Sequence, residues 1–505
     1  MSNRSCELRS SASRVVVCTL LLASCWLLAG PALAAGGDSG VSNVYVSEPV
    51  VPHVLNVDLR DLPRAPAWKP GDPIKVVEER LTNDFGIDPN LEWVDPVRQG
   101  STDGGGFSSS LEVNFEGIPF SGAFPPDVVG DVGPDHYIQA VNASLFAIWD
   151  KDGNQLVGTT ALNSLWTGDP GSPCTDGDGD PIVQYDILAD RWYLSQFDLT
   201  GNTFCFFISQ GPDPVTDGWF VYEFSSPQFP DYPQYGVWPD AYYVSSFESP
   251  SLGIYAFDRA AMLAGAPSSF VRFTIPQLNG TASRVTRILP ADVEGDPPPA
   301  GAPNYFVRTV DDTQDNSDPT DRLEVWEFDV DFVTPGNSTF NKTLDLIPEP
   351  FTLLPCSPGT RDCVPQPGTS LLLDALFNRA MRNLQYRNFG TYETMVVTQV
   401  VDAGGGQAGK RWYELRKEGA GDWSIFQQGT YAPDAEGRFM GSIAMDAGGN
   451  IALGYSVSSS TVFPGLRATA RRPGDAAGTM TMTELSIREG AGIQTATQRW
   501  GDYSA

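Results

Sequence analysis

The sequence predicts an all-β fold of the β-propeller type, and three features of the chain carry that prediction. From about Phe115 onward, short runs of β-branched and aromatic residues alternate with clusters of Gly, Asp, Asn and Pro, a texture typical of short strands joined by tight turns. The 51 glycines and 41 prolines among 505 residues favour many turns and few long helices. A loose repeat is the third feature: a Gly, then an Asp, then an apolar strand.

The repeat predicts the number of blades. Its starts fall near Gly130, Asp180, Gly236, Thr286, Leu371, Gly441 and Gly501. Four-stranded blades take roughly 40–50 residues each, so seven starts predict a seven-bladed propeller with an insertion in the fifth repeat. A pair of β-sandwiches is the alternative, but it explains the recurring Asp less well.

The last repeat start, Gly501, lies in the segment Arg499–Ala505, and the given sequence ends there, where a strand should begin. Either the N-terminal region supplies the missing strands, or the sequence is a fragment whose C-terminal blade is truncated. We favour the fragment.

The N-terminus resembles an export signal. Three arginines precede an apolar run from Val15 to Leu28, and Ala32-Leu33-Ala34 forms a small-residue cleavage site. We therefore predict a signal peptide at 1–34, an extended and partly disordered region at 35–110, and the propeller at 111–505. A membrane-spanning helix needs a longer apolar run of about 20 residues, and lipoprotein anchoring through Cys25 is a second alternative.

The cysteines support an extracellular or periplasmic location. Removal of residues 1–34 leaves four of the seven cysteines, which sequence proximity pairs as Cys174–Cys205 and Cys356–Cys363. An even number in an exported chain indicates disulfides. Free buried thiols are the alternative; a zinc site is disfavoured because the chain has no CxxC pair and only two histidines.

The charge balance excludes several classes of partner. The formal net charge is −30, and loss of the signal, with three Arg and one Glu, makes it −32. Such a chain has no broad basic surface for nucleic acid or anionic lipid. Its 41% hydrophobic and 11% aromatic content also exceeds that of a disordered acidic polymer.

Several segments resemble a family of secreted bacterial propeller proteins, described as hypothetical or sialidase-like and without an established activity. The matching segments are 124–137, 178–197, 232–243, 385–393, 411–416 and 440–456. The resemblance covers about 115–505 and implies a propeller fold and export. In that family the R-W-G-D-Y-S segment is followed by a further blade, and Asn-His often stands where this chain has Thr398-Gln399.

Calcium is the cofactor that the sequence suggests best. Asp176, Asp178 and Asp180 alternate with glycine, so three carboxylates can converge on one hard cation. An acidic hairpin loop without metal is the alternative. A second acidic loop, with Asp311, Asp312, Asp315 and Asp318, is the other calcium candidate.

A catalytic site would require loop residues gathered at the propeller axis. Candidates for a sialidase-like or other carbohydrate-active site are Arg191, Arg387, Glu393, Asp240 and His136, because such sites combine arginines with paired carboxyls or a general base. Structural roles, such as an ion pair of Arg191 with a neighbouring Asp, are the alternative. The nucleophile elbow of serine hydrolases, phosphate loops and dinucleotide fingerprints are absent from the sequence.

The sequence alone leaves enzyme activity undecided. We expect an exported acidic propeller that serves as a binding or scaffold module at or outside the cell surface. The alternative is a carbohydrate-active enzyme, a sialidase-like glycoside hydrolase or a polysaccharide lyase, with an axial active site. The expected partner is an extracellular glycan or polysaccharide.

Overall fold

The computed structural model describes residues 41–77, 92–101, 106–199, 201–279, 286–356 and 360–503. The predicted signal peptide lies outside them. Among the described residues, no helix combines the length and the apolar character that a membrane crossing requires. Residues Ser39–Ala505 form one compact unit.

The regular secondary structure of the described residues is almost entirely strand. Its one α-helix is α1 (Arg259–Leu263), which begins after Asp258, whose side chain accepts a hydrogen bond from the Ala261 amide. Short 3₁₀ turns lie at Leu59–Asp61, Leu162–Leu165, Pro173–Thr175 and Pro335–Asn337.

Five short strands precede the main sheets: β1 (Tyr45–Val46), β2 (His53–Leu55), β3 (Lys75–Val76), β4 (Arg98–Gln99) and β5 (Ala123–Phe124). Six antiparallel four-stranded meanders follow in chain order within the described residues, and we call them blades 1 to 6.

Blade 1 contains β6 (Val129–Val132), β7 (His136–Val141), β8 (Leu145–Asp150) and β9 (Gln155–Ala161). Blade 2 contains β10 (Gly179–Asp186), β11 (Arg191–Asp198), β12 (Thr203–Ser209) and β13 (Trp219–Ser225). Blade 3 contains β14 (Asp231–Val237), β15 (Ala241–Glu248), β16 (Ser251–Asp258) and β17 (Phe270–Pro276).

Blade 4 contains β18 (Leu289–Val293), β19 (Asn304–Val310), β20 (Arg322–Asp329) and β21 (Thr339–Leu346). A two-stranded sheet, β22 (Asp362–Val364) and β23 (Leu373–Asp374), precedes blade 5. Blade 5 contains β24 (Ala380–Asn388), β25 (Tyr392–Asp402), β26 (Ala408–Glu418) and β27 (Ser424–Tyr431). Blade 6 contains β28 (Gly437–Met445), β29 (Ile451–Ser458), β30 (Gly465–Arg471) and β31 (Leu485–Arg488).

The arrangement is propeller-like, and the predicted count of seven blades is not confirmed. Four meanders stand in separate sheets, whereas blades 4 and 5 merge through parallel pairing of β18 with β24. The predicted start at Gly501 is followed by no strand among the described residues. The propeller prediction is therefore confirmed at the level of architecture only.

The hydrophobic core lies between neighbouring blades. One cluster joins blades 1 and 2, and includes Phe146, Trp192 and Phe207. A second joins blades 3, 4 and 5, where the Trp238 and Tyr386 rings meet edge to face at 4.8 Å. Stacked faces of this kind bury the apolar side of each short sheet, which a single meander could not do.

Three strands from the described parts of the N-terminal region lie along the outer edges of the blades. Strand β1 pairs with β17, β2 pairs with β13, and β4 pairs with β27. Asp95 is fixed by a buried ion pair with Arg411 at 3.0 Å. The region therefore covers strand edges that would otherwise be open to pairing with other chains.

Both predicted disulfides are present. Cys174 is bonded to Cys205, and Cys356 is bonded to Cys363. The first ties the loop before blade 2 to the third strand of that blade, and the second closes a short loop before β22.

Candidate functional site

The innermost strands of the blades meet around a common centre. Strands β6, β10, β14, β18, β24 and β28 contact one another in succession. Strands β6, β10, β14 and β28 each leave one edge without a pairing strand, whereas β18 and β24 pair with each other. The backbone N–H and C=O groups on the open edges need other partners. Side chains from neighbouring blades supply several of them.

Two aspartates cap these inner edges. Asp131 of blade 1 accepts a 2.7 Å hydrogen bond from the Tyr185 amide of blade 2. Asp292 of blade 4 accepts a 2.9 Å bond from the Val237 amide of blade 3. The carboxylates therefore lie at the centre, between blades.

The carboxyl group of Glu294 lies on the same face of the chain as that of Asp292. Glu294 follows β18 two residues after Asp292, and alternate residues of an extended chain share a face. Glu294 is half-buried, whereas Asp292 is buried. We call Asp131, Asp292 and Glu294 the axial carboxyl cluster.

Burial raises the pKa of all three carboxyls. It raises the pKa of Asp292 to about 7 and that of Glu294 to about 8, and repulsion from Asp131 adds to both shifts. The pKa of Asp131 is also raised by burial, but hydrogen bonds from the backbone amides of Tyr185 and Val132 oppose the rise. Near neutral pH, Glu294 therefore holds a proton while Asp131 has the donors that stabilise a carboxylate.

One buried guanidinium faces this cluster. Arg382 of β24 is 3% exposed, and its Nη2 donates to the Val183 carbonyl of blade 2 at 3.1 Å. Its Nε and Nη1 have no hydrogen-bond partner among the described residues. Burial lowers the pKa of Arg382, and attraction to Asp292 and Asp131 opposes that shift.

A second arginine lies on the Glu294 side. Attraction to Arg387, at the end of β24, lowers the pKa of Glu294 against the larger effect of burial. The close approach depends on Gly295, whose φ is +100° and where a Cβ atom would lie 2.6 Å from Arg387 Nη1. Arg387 is itself held by a 3.0 Å bond from its Nε to the Met445 carbonyl of blade 6.

The cluster thus combines the protonated Glu294 carboxyl, two further carboxyls whose pKa is raised, and two guanidinium groups. A carboxyl with a pKa near the working pH can donate a proton to a leaving group, and a neighbouring carboxylate can act as base or nucleophile. This division of roles is the one that glycoside hydrolysis uses.

Comparisons with known proteins add little to this geometry. No family model matches the chain, and no curated protein matches it. Among solved structures, a bifunctional GH43-CE protein of Bacteroides eggerthii is 10% identical, with a TM-score of 0.31; the match covers 75% of this chain and 37% of that one. A PL25 ulvan lyase is 8% identical with a TM-score of 0.36, covering 80% and 88% of the two chains. An α-L-arabinofuranosidase from Podospora anserina is 11% identical with a TM-score of 0.30, covering 74% and 98%.

Of the five predicted catalytic residues, only Arg387 has a described interaction with the axial carboxyl cluster. Arg191 donates to carbonyls of its own turn, and His136 lies 3.8 Å from Asp213. Asp240 accepts from the Tyr243 hydroxyl, and burial raises its pKa to about 6. Glu393 accepts a 2.6 Å bond from the Tyr386 hydroxyl. Among the described residues, no hydrogen bond or ion pair joins any two of the five.

The three aspartates of the predicted calcium loop have separate partners. Asp178 accepts from Lys75 Nζ at 3.4 Å and from the Leu199 amide at 3.1 Å. Asp180 turns inward and accepts a 2.6 Å bond from the Tyr503 hydroxyl. The Asp176 backbone carbonyl accepts from Gln196.

Two aspartates of the second acidic loop, Asp311 and Asp312, lie beside Asp321, which follows that loop. Oxygens of Asp311, Asp312 and Asp321 lie within 4.8 Å of one another, the one such group of three found among the described residues. Burial raises the pKa of Asp311 to about 7 and that of Asp321 to about 6, and repulsion from Asp312 contributes to both shifts.

Four aspartates meet where the inner strands begin. Asp127, Asp180, Asp231 and Asp502 line one small cleft together with Arg499. Burial raises the pKa of Asp127 and Asp180 well above the usual range, and repulsion from neighbouring aspartates adds to it. Arg499 forms an ion pair with Asp502 within this group.

The axial carboxyl cluster is not among the sites that the sequence predicts. Asp131 stands in one of the recurring Gly-Asp starts, and Asp292 and Glu294 stand in P-A-D-V-E-G near another. The alternation D-x-E at the end of a strand was the available signal. Its meaning depends on which strand ends meet across the centre, which local sequence does not show.

Proposed function

We propose that this chain is an exported carbohydrate-active enzyme that cleaves glycosidic bonds at the axial carboxyl cluster. The observation that carries the proposal is the half-buried Glu294 carboxyl, with a pKa of about 8, beside Asp292 and Asp131. A carboxyl in this setting is protonated at neutral pH and can serve as a general acid.

The proposed chemistry assigns each group a role. Glu294 transfers its proton to the oxygen of the leaving sugar as the glycosidic bond breaks. Asp131, whose two backbone donors favour its ionised form, activates water or attacks the anomeric carbon. Arg382 donates to oxygen atoms of the bound sugar from its Nε and Nη1, which have no hydrogen-bond partner among the described residues.

A panel of soluble polysaccharides tests this function on the secreted full-length chain. The panel comprises arabinan, xylan, galactan, cellulose derivatives and uronate-containing polymers, and the readout is the release of reducing ends. Absorbance of unsaturated uronates distinguishes a lyase from a hydrolase. We expect wild-type protein and the surface control Glu48→Gln to be active and Glu294→Gln to lose at least a hundredfold, the size of a general-acid contribution. Absence of turnover on every substrate rejects the enzyme proposal.

A binding or scaffold role is the second candidate. It is favoured by an open aromatic pocket on blade 1, away from the axial carboxyl cluster. The two roles differ in a simple way, because a binding module retains ligand without releasing product.

Calcium remains a proposal for this chain, with Asp311, Asp312 and Asp321 as the ligands. Carboxylate oxygens are the ligands that Ca²⁺ prefers, and a cation would relieve the repulsion among these three groups. The test is the effect of a chelator on the melting temperature.

A further inference from the structure

The open aromatic pocket on blade 1 has a volume of about 320 Å³ and shares no lining residue with the axial carboxyl cluster. Its walls come from the segment 113–117, from β7 and from the turn between β8 and β9. The volume is at the small end of ligand pockets, which span about 300–1,000 Å³. It would hold one or two sugar rings.

Aromatic rings form the wall of this pocket. The Phe115 ring is 36% exposed, and it packs on Tyr137 at 6.1 Å and on the buried Trp149 at 5.6 Å between ring centroids. Val132, which is 51% exposed, lies on the rim. An open, rigid aromatic face of this kind suits the apolar face of a sugar ring.

Polar groups surround the rings. The polar side chains that line the pocket are Gln139, Asp150, Lys151 and Asn114. Asp150 is ionised, because hydrogen bonds from Asn154 and other turn amides lower its pKa. One lysine balances this one aspartate, so the lining favours a neutral ligand that carries hydroxyl groups around an apolar face.

The pocket is built rather than incidental. The Ile118 amide donates a 2.7 Å bond to Gln139 Oε1, and Asn114 Nδ2 donates to the Ile487 carbonyl of blade 6 at 3.2 Å. Gly153, with φ of +84°, leaves the space that Phe115 occupies, since a Cβ atom there would lie 2.7 Å from the ring. These contacts hold segment 113–117 over blade 1 and fix the ring orientation.

We propose that this blade 1 pocket binds a neutral sugar unit of a glycan, as a binding site separate from the axial carboxyl cluster. The sugar ring stacks on the Phe115 ring, and the sugar hydroxyls form hydrogen bonds with Gln139, Lys151 and Asp150. The inference does not depend on catalysis at Glu294.

Calorimetric titration with neutral oligosaccharides tests the proposal. The probes are xylo-, arabino-, galacto- and cello-oligosaccharides, added to the full-length chain. We expect at least one series to bind, and Phe115→Ala to weaken it by about tenfold, the equivalent of one aromatic contact. Phe463→Ala, which removes another partly exposed ring, should bind as wild type does.

Val132→Trp provides a second test that leaves the packing of Phe115 intact. The larger side chain on the exposed rim should fill the entrance and abolish binding without lowering the melting temperature. Glu294→Gln should bind normally, which separates this site from the proposed active site. The proposal is overturned if no series binds at millimolar concentration, or if Phe115→Ala and Val132→Trp bind as tightly as the wild type.

Discussion

Replacement of Glu294 by Gln should make the protein more stable in alkaline solution while removing its activity. Burial at the centre of the blades raises the pKa of this carboxyl from 4.5 to about 8. Between these two values the folded chain holds a proton that the unfolded chain has released. The stability that this group contributes is therefore complete below pH 4.5 and is lost as the pH rises to about 8.

The size of the effect follows from the shift. The pKa of Glu294 rises by about 3.5 units, and each unit corresponds to about 1.4 kcal/mol. The loss of unfolding free energy with rising pH is therefore at most about 5 kcal/mol. The half-buried side chain keeps part of its hydration, so we expect about 2 kcal/mol between pH 5 and pH 9. Glutamine has the same shape and no charge, and it removes this loss.

Urea unfolding near pH 5 and near pH 9 measures the difference between the two proteins. We expect wild type and the control Glu48→Gln to lose stability in parallel across this range, and Glu294→Gln to lose about 2 kcal/mol less. Identical pH dependence in all three proteins would refute the placement of Glu294 in a buried carboxyl cluster.

Three further predictions concern stability. Replacement of Cys174 and Cys205 by Ala should lower the free energy of unfolding by about 3.5 kcal/mol, and replacement of Cys356 and Cys363 should lower it by about 2.5 kcal/mol. The first disulfide spans 31 residues and the second 7, and the longer loop gains more entropy on unfolding when its bond is removed. Equal losses in urea unfolding would contradict this explanation. Asp95→Ala leaves Arg411 buried without its ion-pair partner and should cost about 3 kcal/mol, whereas Asp61→Ala, at an exposed position of the same region, should cost less than about 0.5 kcal/mol. A chelator should lower the melting temperature by several degrees, and Asp312→Asn should abolish that response; an unchanged melting temperature in chelator rejects calcium at Asp311, Asp312 and Asp321.

The fold class and the disulfides could be predicted from the sequence because both depend on local features. Turn clusters mark the ends of short strands, and six of the seven predicted starts lie at or near the innermost strand of a blade. The seventh, at Gly501, has the same sequence pattern without a following strand among the described residues. The repeat thus located individual meanders but could not fix their number.

The site was less accessible to sequence reasoning. The sequence indicates Arg387 as a site residue. It does not indicate Asp131, Asp292, Glu294 or Arg382, because the roles of these four depend on contacts between blades that are far apart in sequence. At Asp180 the Asp-Gly alternation predicts a calcium ligand, and the structure adds a long-range hydrogen bond from Tyr503 to its carboxylate. Burial and long-range contact, rather than residue type, distinguish these positions.

The dependence of glycosidic cleavage on pH tests the central claim most directly. On a substrate identified by the polysaccharide panel, wild-type kcat/KM should fall as the pH rises through about 8, where Glu294 loses its proton. Glu294→Gln should show little activity and no such alkaline limb. A wild-type profile that stays flat to pH 10, or a Glu294→Gln variant that retains full activity, would contradict the assignment of Glu294 as the proton donor.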